Sequence, residues 1–134
     1  MGSKCFRMKK NVLGTELVAC SLDPLTGVLR DGFCTYDKRD PGLHIVAAQM
    51  TDEFLAYNQS RGNDLITPKP QWQFPGLKAG DWWCICMGVW LRSKDAGFPV
   101  YINLEACHEK VLDYVSMEEL KRWDYRNQSL NAST

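Results

Sequence analysis

The run from Trp82 to Trp90, WWCICMGVW, is apolar at both odd and even positions. As an extended strand it places Trp82, Cys84, Cys86, Gly88 and Trp90 on one face and Trp83, Ile85, Met87 and Val89 on the other. A strand with two apolar faces must be covered on both sides, so the run predicts a central strand. The remaining segments have to be arranged around it. Val12 to Cys20 reads as a strand with loose alternation. Val28–Arg30 and Phe33–Tyr36 flank Asp31-Gly32, a hairpin signal. Leu43 to Met50 is a further strand, and Val100, Ile102, Leu104 and Ala106 alternate with Tyr101, Asn103 and Glu105 as another.

Helices announce themselves through their caps. Thr51 precedes Asp52 and Glu53, an acidic first turn suited to the positive end of a helix. That helix should bury Phe54, Leu55 and Tyr57 and stop at Gly62. Ser116-Met117-Glu118-Glu119 has the spacing of a capping box, with Met117, Leu120 and Trp123 as the buried stripe behind it. A shorter helix or turn is expected from His108 to Tyr114. Between Asn63 and Asp81 the chain is rich in Pro and Gly, yet carries Trp72, Phe74 and Leu77 as anchors, which predicts an ordered loop packed over the sheet.

Strands and helices do not alternate regularly. The pattern therefore predicts an α+β fold: a two-layer sandwich with a largely antiparallel sheet of four or five strands and two or three helices. At 134 residues, one domain is expected, spanning residues 11–126, with a flexible basic leader at 1–10 and a polar tail at 127–134. Lys+Arg and Asp+Glu are both 16, which argues against a nucleic-acid partner. No apolar run has the length of a membrane span, so no membrane partner is expected. The basic start lacks the apolar stretch of a secretory signal, and Phe6 stands where a myristoylation motif needs Ser or Thr. The chain is accordingly read as cytoplasmic with its six cysteines reduced. The triplets Asn127-Gln128-Ser129 and Asn131-Ala132-Ser133 are read as chance matches to a glycosylation signal.

Thiols are the first groups with chemistry. On one strand face, Cys84 and Cys86 would have Cα atoms about 6.6–6.8 Å apart, near the limit for a disulfide but suited to two ligands of one metal. They could equally be small buried apolar residues, or one of them could be a reactive thiol. The second cluster is Glu105-Ala106-Cys107-His108-Glu109, where a strand end turns toward a helix. Cys107 and His108 point to opposite faces, so a better dyad pairs His108 or His44 with a cysteine from elsewhere, oriented by Glu105. Leu112 rules out the H-E-x-x-H zinc motif. Asn63 and Asp64 after the first helix, and Arg30 beside Asp31-Gly32, serve turns or offer polar groups to a ligand. Trp72, Trp82, Trp83 and Trp90 fit core packing or the lining of a small-molecule cleft.

Many short motifs in this order resemble one family. They are Asn11-Val12-Leu13-Gly14, Asp23-Pro24-Leu25-Thr26-Gly27, Arg30-Asp31-Gly32, Gly62-Asn63-Asp64-Leu65, Phe74-Pro75-Gly76-Leu77, Gly80-Asp81, Trp83-Cys84 with Cys86, and Leu104-Glu105-Ala106 with His108-Glu109. The chain resembles, over about residues 11 to 123, the family called domain of unknown function 2237. The resemblance implies one compact domain with a two-layer α/β sandwich, and it brings no activity with it. It also implies that members carry Cys where Phe33 and Ala47 stand here and Thr where Cys107 stands. A metal cage built on those positions would not be shared, which leaves Cys20, Cys34, Cys84, Cys86, His44 and His108 as the reactive set.

The sequence thus describes a protein of unknown function with a Cys/His/acid polar cleft. One reading is a thiol-dependent enzyme acting on a small metabolite, with Cys84 or Cys86 as nucleophile, His108 or His44 as base and Glu105 as orienter. Asp64, Asn63, Arg30 and Trp83 are the expected binding residues. The alternatives are a non-catalytic small-ligand or peptide module and a structural zinc protein. No cofactor and no metal ligand set is specified by the sequence.

Overall fold

The computed structural model describes residues 9–127. The expected leader lies mostly outside that range, as do most of the tail and all but the first residue of the glycosylation triplets. The described elements run β1 (Val46–Gln49), α1 (Asp52–Ser60), β2 (Trp82–Ile85), α2 (Met87–Asp95) and α3 (Met117–Arg122). Single 3-10 turns stand at Pro70–Trp72, Leu104–Ala106, Glu109–Asp113 and Tyr125–Asn127. The fold is α+β, with three α-helices among the described residues, in line with the sequence.

The sheet is smaller than expected. Among the described residues it has two strands, not four or five: β1 and β2 pair antiparallel, with Val46 opposite Ile85, Ala47 opposite Cys84, Ala48 opposite Trp83 and Gln49 opposite Trp82. The expected third strand at 100–106 alternates in burial, with Val100, Ile102, Leu104 and Ala106 inside. Its backbone, however, meets β1 only around the Ala48–Ile102 bridge, where Gln49 donates to the Tyr101 carbonyl and Asn103 to that of Ala47. Asn103 then accepts from the Glu105 amide and turns the chain into a 3-10 segment, which ends the ladder. The 12–20 segment is likewise not a strand. Buried Asn11 donates to Thr15 Oγ1 and to the Glu16 and Glu105 carbonyls, and its Oδ1 accepts from the Leu13 and Thr15 amides. One side chain thereby satisfies backbone groups that a strand neighbour would otherwise have taken.

The largest departure lies at the apolar run. It is not one strand: β2 stops at Ile85, Cys86 is the N-cap (φ −59°, ψ 139°) and α2 begins at Met87. Apolar residues at every position satisfy a strand and a buried helix alike, so alternation could not separate them. Helical spacing decides the outcome, because Met87, Trp90 and Ser93 fall on one buried face. Trp90 is fully buried, and its ring N–H donates to the Val100 carbonyl (3.2 Å).

The capped helices formed as expected, but the hairpin signalled by Asp31-Gly32 did not: among the described residues 28–30 and 33–36 are not paired strands. Thr51 Oγ1 accepts from the Phe54 amide (3.0 Å), and Phe54 and Leu55 enter the core. The helix closes at Gly62, with φ +92° and an amide donating to the Gln59 carbonyl. Ser116 Oγ accepts from the Glu119 amide (3.2 Å), and Leu120 is fully buried behind it. The 63–81 loop is ordered. Phe74 and Leu77 are buried, Phe74 meeting the Trp83 ring edge-on at 5.3 Å, but Trp72 is 63% exposed and anchors nothing. Asn58 joins the helices by donating to the Phe54 carbonyl and to Ser93 Oγ.

Candidate functional site

The end of the two-stranded ladder brings one thiol, one imidazole and one carboxylate into line. β1 is entered from the loop Asp40-Pro41-Gly42-Leu43-His44, and β2 leaves through Cys86. The Leu43 carbonyl accepts from both the Ile45 and the Met87 amides, which fastens that loop to the start of α2. Cys86 Sγ then lies 3.3 Å from His44 Nε2. On the other side of the ring, His44 Nδ1 lies 2.9 and 3.0 Å from the two oxygens of Asp40. Asp40 also accepts from the amides of Gly42 and His44, so its carboxylate is held by four contacts within its own loop.

Space is limited at this corner. A Cβ at Gly42 would stand 2.7 Å from His44 Cε1 and 3.1 Å from Cys86 Sγ. Only a residue without a side chain lets the ring and the sulfur approach one another here. The Asp40 side chain is 5% exposed and the His44 ring 40% exposed, so the carboxylate is sheltered while the imidazole reaches solvent.

The electrostatics follow from these contacts. The hydrogen bond to Cys86 raises His44 to about 9; burial opposes this, while the negative charge of Cys86 and then Asp40 add to it. Burial pushes the Asp40 carboxyl up, but the backbone and ring donors of His44 outweigh it and the net shift is downward. The arrangement favours a protonated His44 ring, held between the Cys86 sulfur and the Asp40 carboxylate. Cys86 also occupies the N-cap of α2, where no side chain caps the helix and unsatisfied N–H groups favour negative charge.

Cavities open on either side of this pair. One of about 210 Å³ is lined by Gly27, Arg30, Asp40, His44, Trp83 and Cys84. A smaller one of about 60 Å³ is lined by His44, Asn63, Trp83, Cys84 and Cys86. A third of about 320 Å³ is lined by Tyr57, Arg61, Asn63, Cys86, Val89 and Arg92. Among the described residues neither Arg61 nor Arg92 is within ion-pair distance of a carboxylate.

The sequence-derived residues divide accordingly. Cys86, His44, Asn63, Arg30 and Trp83 come together around these cavities. Cys84 lines two of them, but its sulfur is bonded to Cys34 in a disulfide, so the oxidised chain offers no Cys84 nucleophile and not every cysteine is reduced. His108 stands elsewhere: its Nδ1 accepts from the Lys110 amide (3.0 Å) and caps the 3-10 turn Glu109–Asp113, and burial lowers its pKa. Glu105 pairs with Arg126 rather than with an imidazole. Asp64 accepts from the Ile66 and Thr67 amides; the Thr67 side chain first, then these amides, lower its carboxyl to about 2. Cys107 is fully buried and accepts from the Ala47 amide, with burial pushing its thiol up to about 12. Burial also raises the Cys20 thiol far above its ordinary value.

Asp40, Arg61 and Arg92 were missed. Asp40 was hidden in a charged stretch ending in Pro-Gly that reads as a surface loop. Its signal was the four-residue step to His44 across a turn, which lets a carboxylate fold back onto the ring.

Comparison with known families matches residues 10–124 to one described as an uncharacterized protein conserved in bacteria, DUF2237. No curated protein matches the chain.

Proposed function

We propose that this chain, which belongs to the DUF2237 family, is a thiol-dependent enzyme that transfers or hydrolyses an activated acyl group on a small metabolite. The observation that carries the reading is the continuous Cys86–His44–Asp40 contact at 3.3 and 2.9 Å beside open cavities. A nucleophile within reach of a base, itself oriented by a third group, is the general arrangement for covalent catalysis.

Each residue then has one task. Cys86 sulfur, as thiolate, attacks the acyl carbon, and the carbonyl oxygen takes the electron pair. Amides of the first turn of α2 other than that of Met87, which donates to the Leu43 carbonyl, are the donors for the developing negative charge, a contribution that in acyl transfer is often large. Collapse of the adduct leaves an acyl–Cys86 thioester, and the departing group takes its proton from the His44 imidazolium. Neutral His44 next removes a proton from water, whose oxygen attacks the thioester. The acid departs, and thiolate and imidazolium are restored. Asp40 keeps Nδ1 protonated and the ring turned toward the sulfur. Asn63, Arg61 and Arg92 are placed to hold a polar or anionic part of the substrate, and Arg30 and Trp83 line the opposite side.

This reading goes with a cytoplasmic protein, where such a thiol stays reduced. No helix among the described residues is long and apolar enough to cross a membrane.

Timed alkylation with iodoacetamide at neutral pH, mapped by mass spectrometry, tests it. Cys86 should be modified first, about tenfold faster than the same cysteine in the denatured chain. A Cys86 that reacts no faster folded than unfolded would overturn the reading and leave the cavities to a non-catalytic ligand.

A further inference from the structure

A second group of sulfurs lies outside this triad. Cys20, Cys34 and Cys84 come from three separate stretches of chain, yet their sulfur atoms all lie within 4.8 Å of one another. The framework beneath them is built. Cys84 sits in β2 opposite Ala47, and its amide donates to Oγ1 of the fully buried Thr26 (2.9 Å). The Thr26 carbonyl accepts from Gly32, and the Gly32 carbonyl accepts from the Cys20 amide (2.7 Å). Loop 20–34 is thereby held against the strand, and Cys34 is fully buried at its end. Two of the sulfurs are joined, Cys34 to Cys84, with Cα atoms 5.3 Å apart, while Cys20 is free.

The geometry points to a redox-gated zinc site: when the Cys34–Cys84 disulfide is reduced, Cys20, Cys34 and Cys84 together bind one zinc ion. Three thiolates around zinc at about 2.3 Å each, in tetrahedral arrangement, stand about 3.8 Å from one another. The observed spread is within a small side-chain adjustment of that. A disulfide sulfur carries no thiolate charge, so the oxidised chain offers one ligand of the three and is closed to the ion. Opening requires a two-electron reductant: a dithiol, which gives two electrons and two protons and itself closes to a disulfide, or a trialkylphosphine, which gives the two electrons, takes oxygen from a water that supplies the two protons, and ends as the phosphine oxide. Zinc entry then releases three protons from the three thiols. Three thiolates and zinc carry one net negative charge. The guanidinium of Arg30, in the cavity beside Cys84 and 5.2 Å above the Trp83 ring centre, pairs with no carboxylate among the described residues and can face that charge. The same cavity is lined by Cys84 and not by Cys20 or Cys34, so the ion would enter, and a water as fourth ligand would sit, on the Cys84 side. The site shares the cavity and Arg30 with the acyl-transfer reading but not its nucleophile, since Cys86 is not among its ligands.

The chain is reduced with a trialkylphosphine, desalted anaerobically and titrated with zinc, and bound metal is measured by elemental analysis. One equivalent per reduced chain is expected and none for the oxidised chain. Cys20→Ser should weaken zinc at least about a hundredfold, more than loss of an orienting neighbour does, whereas Cys86→Ser should retain the full equivalent. No zinc on the reduced chain, or undiminished affinity in Cys20→Ser, would overturn the assignment. Should Cys20→Ser fail to fold, zinc-protected alkylation of the reduced natural chain decides: Cys20, Cys34 and Cys84 must be shielded while Cys86 stays open, and any other pattern sinks the site.

Discussion

His44 and His108 each stand beside a cysteine and an acid, and the two corners behave oppositely. At His44 one ring nitrogen meets a thiol and the other a carboxylate, and the ring is pushed toward the charged form. At His108 the Nδ1 lone pair receives a backbone amide, its sequence neighbour Cys107 turns into the core, and burial pushes the ring toward the neutral form. Neighbours along the chain do not make a reactive pair. What matters is which nitrogen is spent on backbone and which remains for a partner.

Substitutions can break or sharpen this contrast. The largest effect is expected from Cys86→Ser, which should abolish the fast alkylation phase altogether, read by mass spectrometry of timed samples. His44→Asn should slow modification of Cys86 at pH 7 by about tenfold, because the cation beside the sulfur is gone. Asp40→Asn should cost less, about threefold to fivefold in the same assay, since an amide still meets the ring but lends it no charge. His108→Gln should leave the alkylation rate within about twofold while lowering stability in urea by about 1 kcal/mol, the ordinary cost of a lost cap. If His108→Gln slowed alkylation as much as His44→Asn, the distinction between the corners would be wrong.

Acidity provides a further handle. His44 is raised from 6.5 to about 9, chiefly by its bond to Cys86, so its protonated ring contributes stability that is complete below about pH 6.5. That contribution fades as pH climbs through 9. His44→Asn should therefore destabilise the chain more at pH 6 than at pH 9.5, measured by urea unfolding at both. Asp40 works in the other direction. Its lowered pKa contributes stability above the ordinary 3.8, which is lost as acid passes through the folded value. In proton resonance titrations the His44 ring should move at a midpoint near 9, and Cys86→Ala should bring it back toward 6.5.

How much of this was legible depended on how local the cause was. The α1 helix was readable from Thr51 to Gly62, because its cap and its stop each act within one turn. The same holds for Ser116 ahead of α3. At Trp82–Trp90 both periodicities fitted, and the choice between them fell to packing that a single sequence does not display. The thiol and imidazole of the site were in view, since Cys86 and His44 are few of their kind. Their meeting depends on β1 and β2 pairing in one register, a contact between residues far apart in the chain. Glu105 and His108 stand three residues apart in the chain, but one side chain pairs with Arg126 and the other caps a 3-10 turn, partners that no local pattern announces.

The bare backbone at Gly42 makes that corner sensitive to bulk before chemistry. A single methyl there would press on ring and sulfur at once. The triad can thus be uncoupled with every one of its functional groups intact, by crowding the corner where they touch.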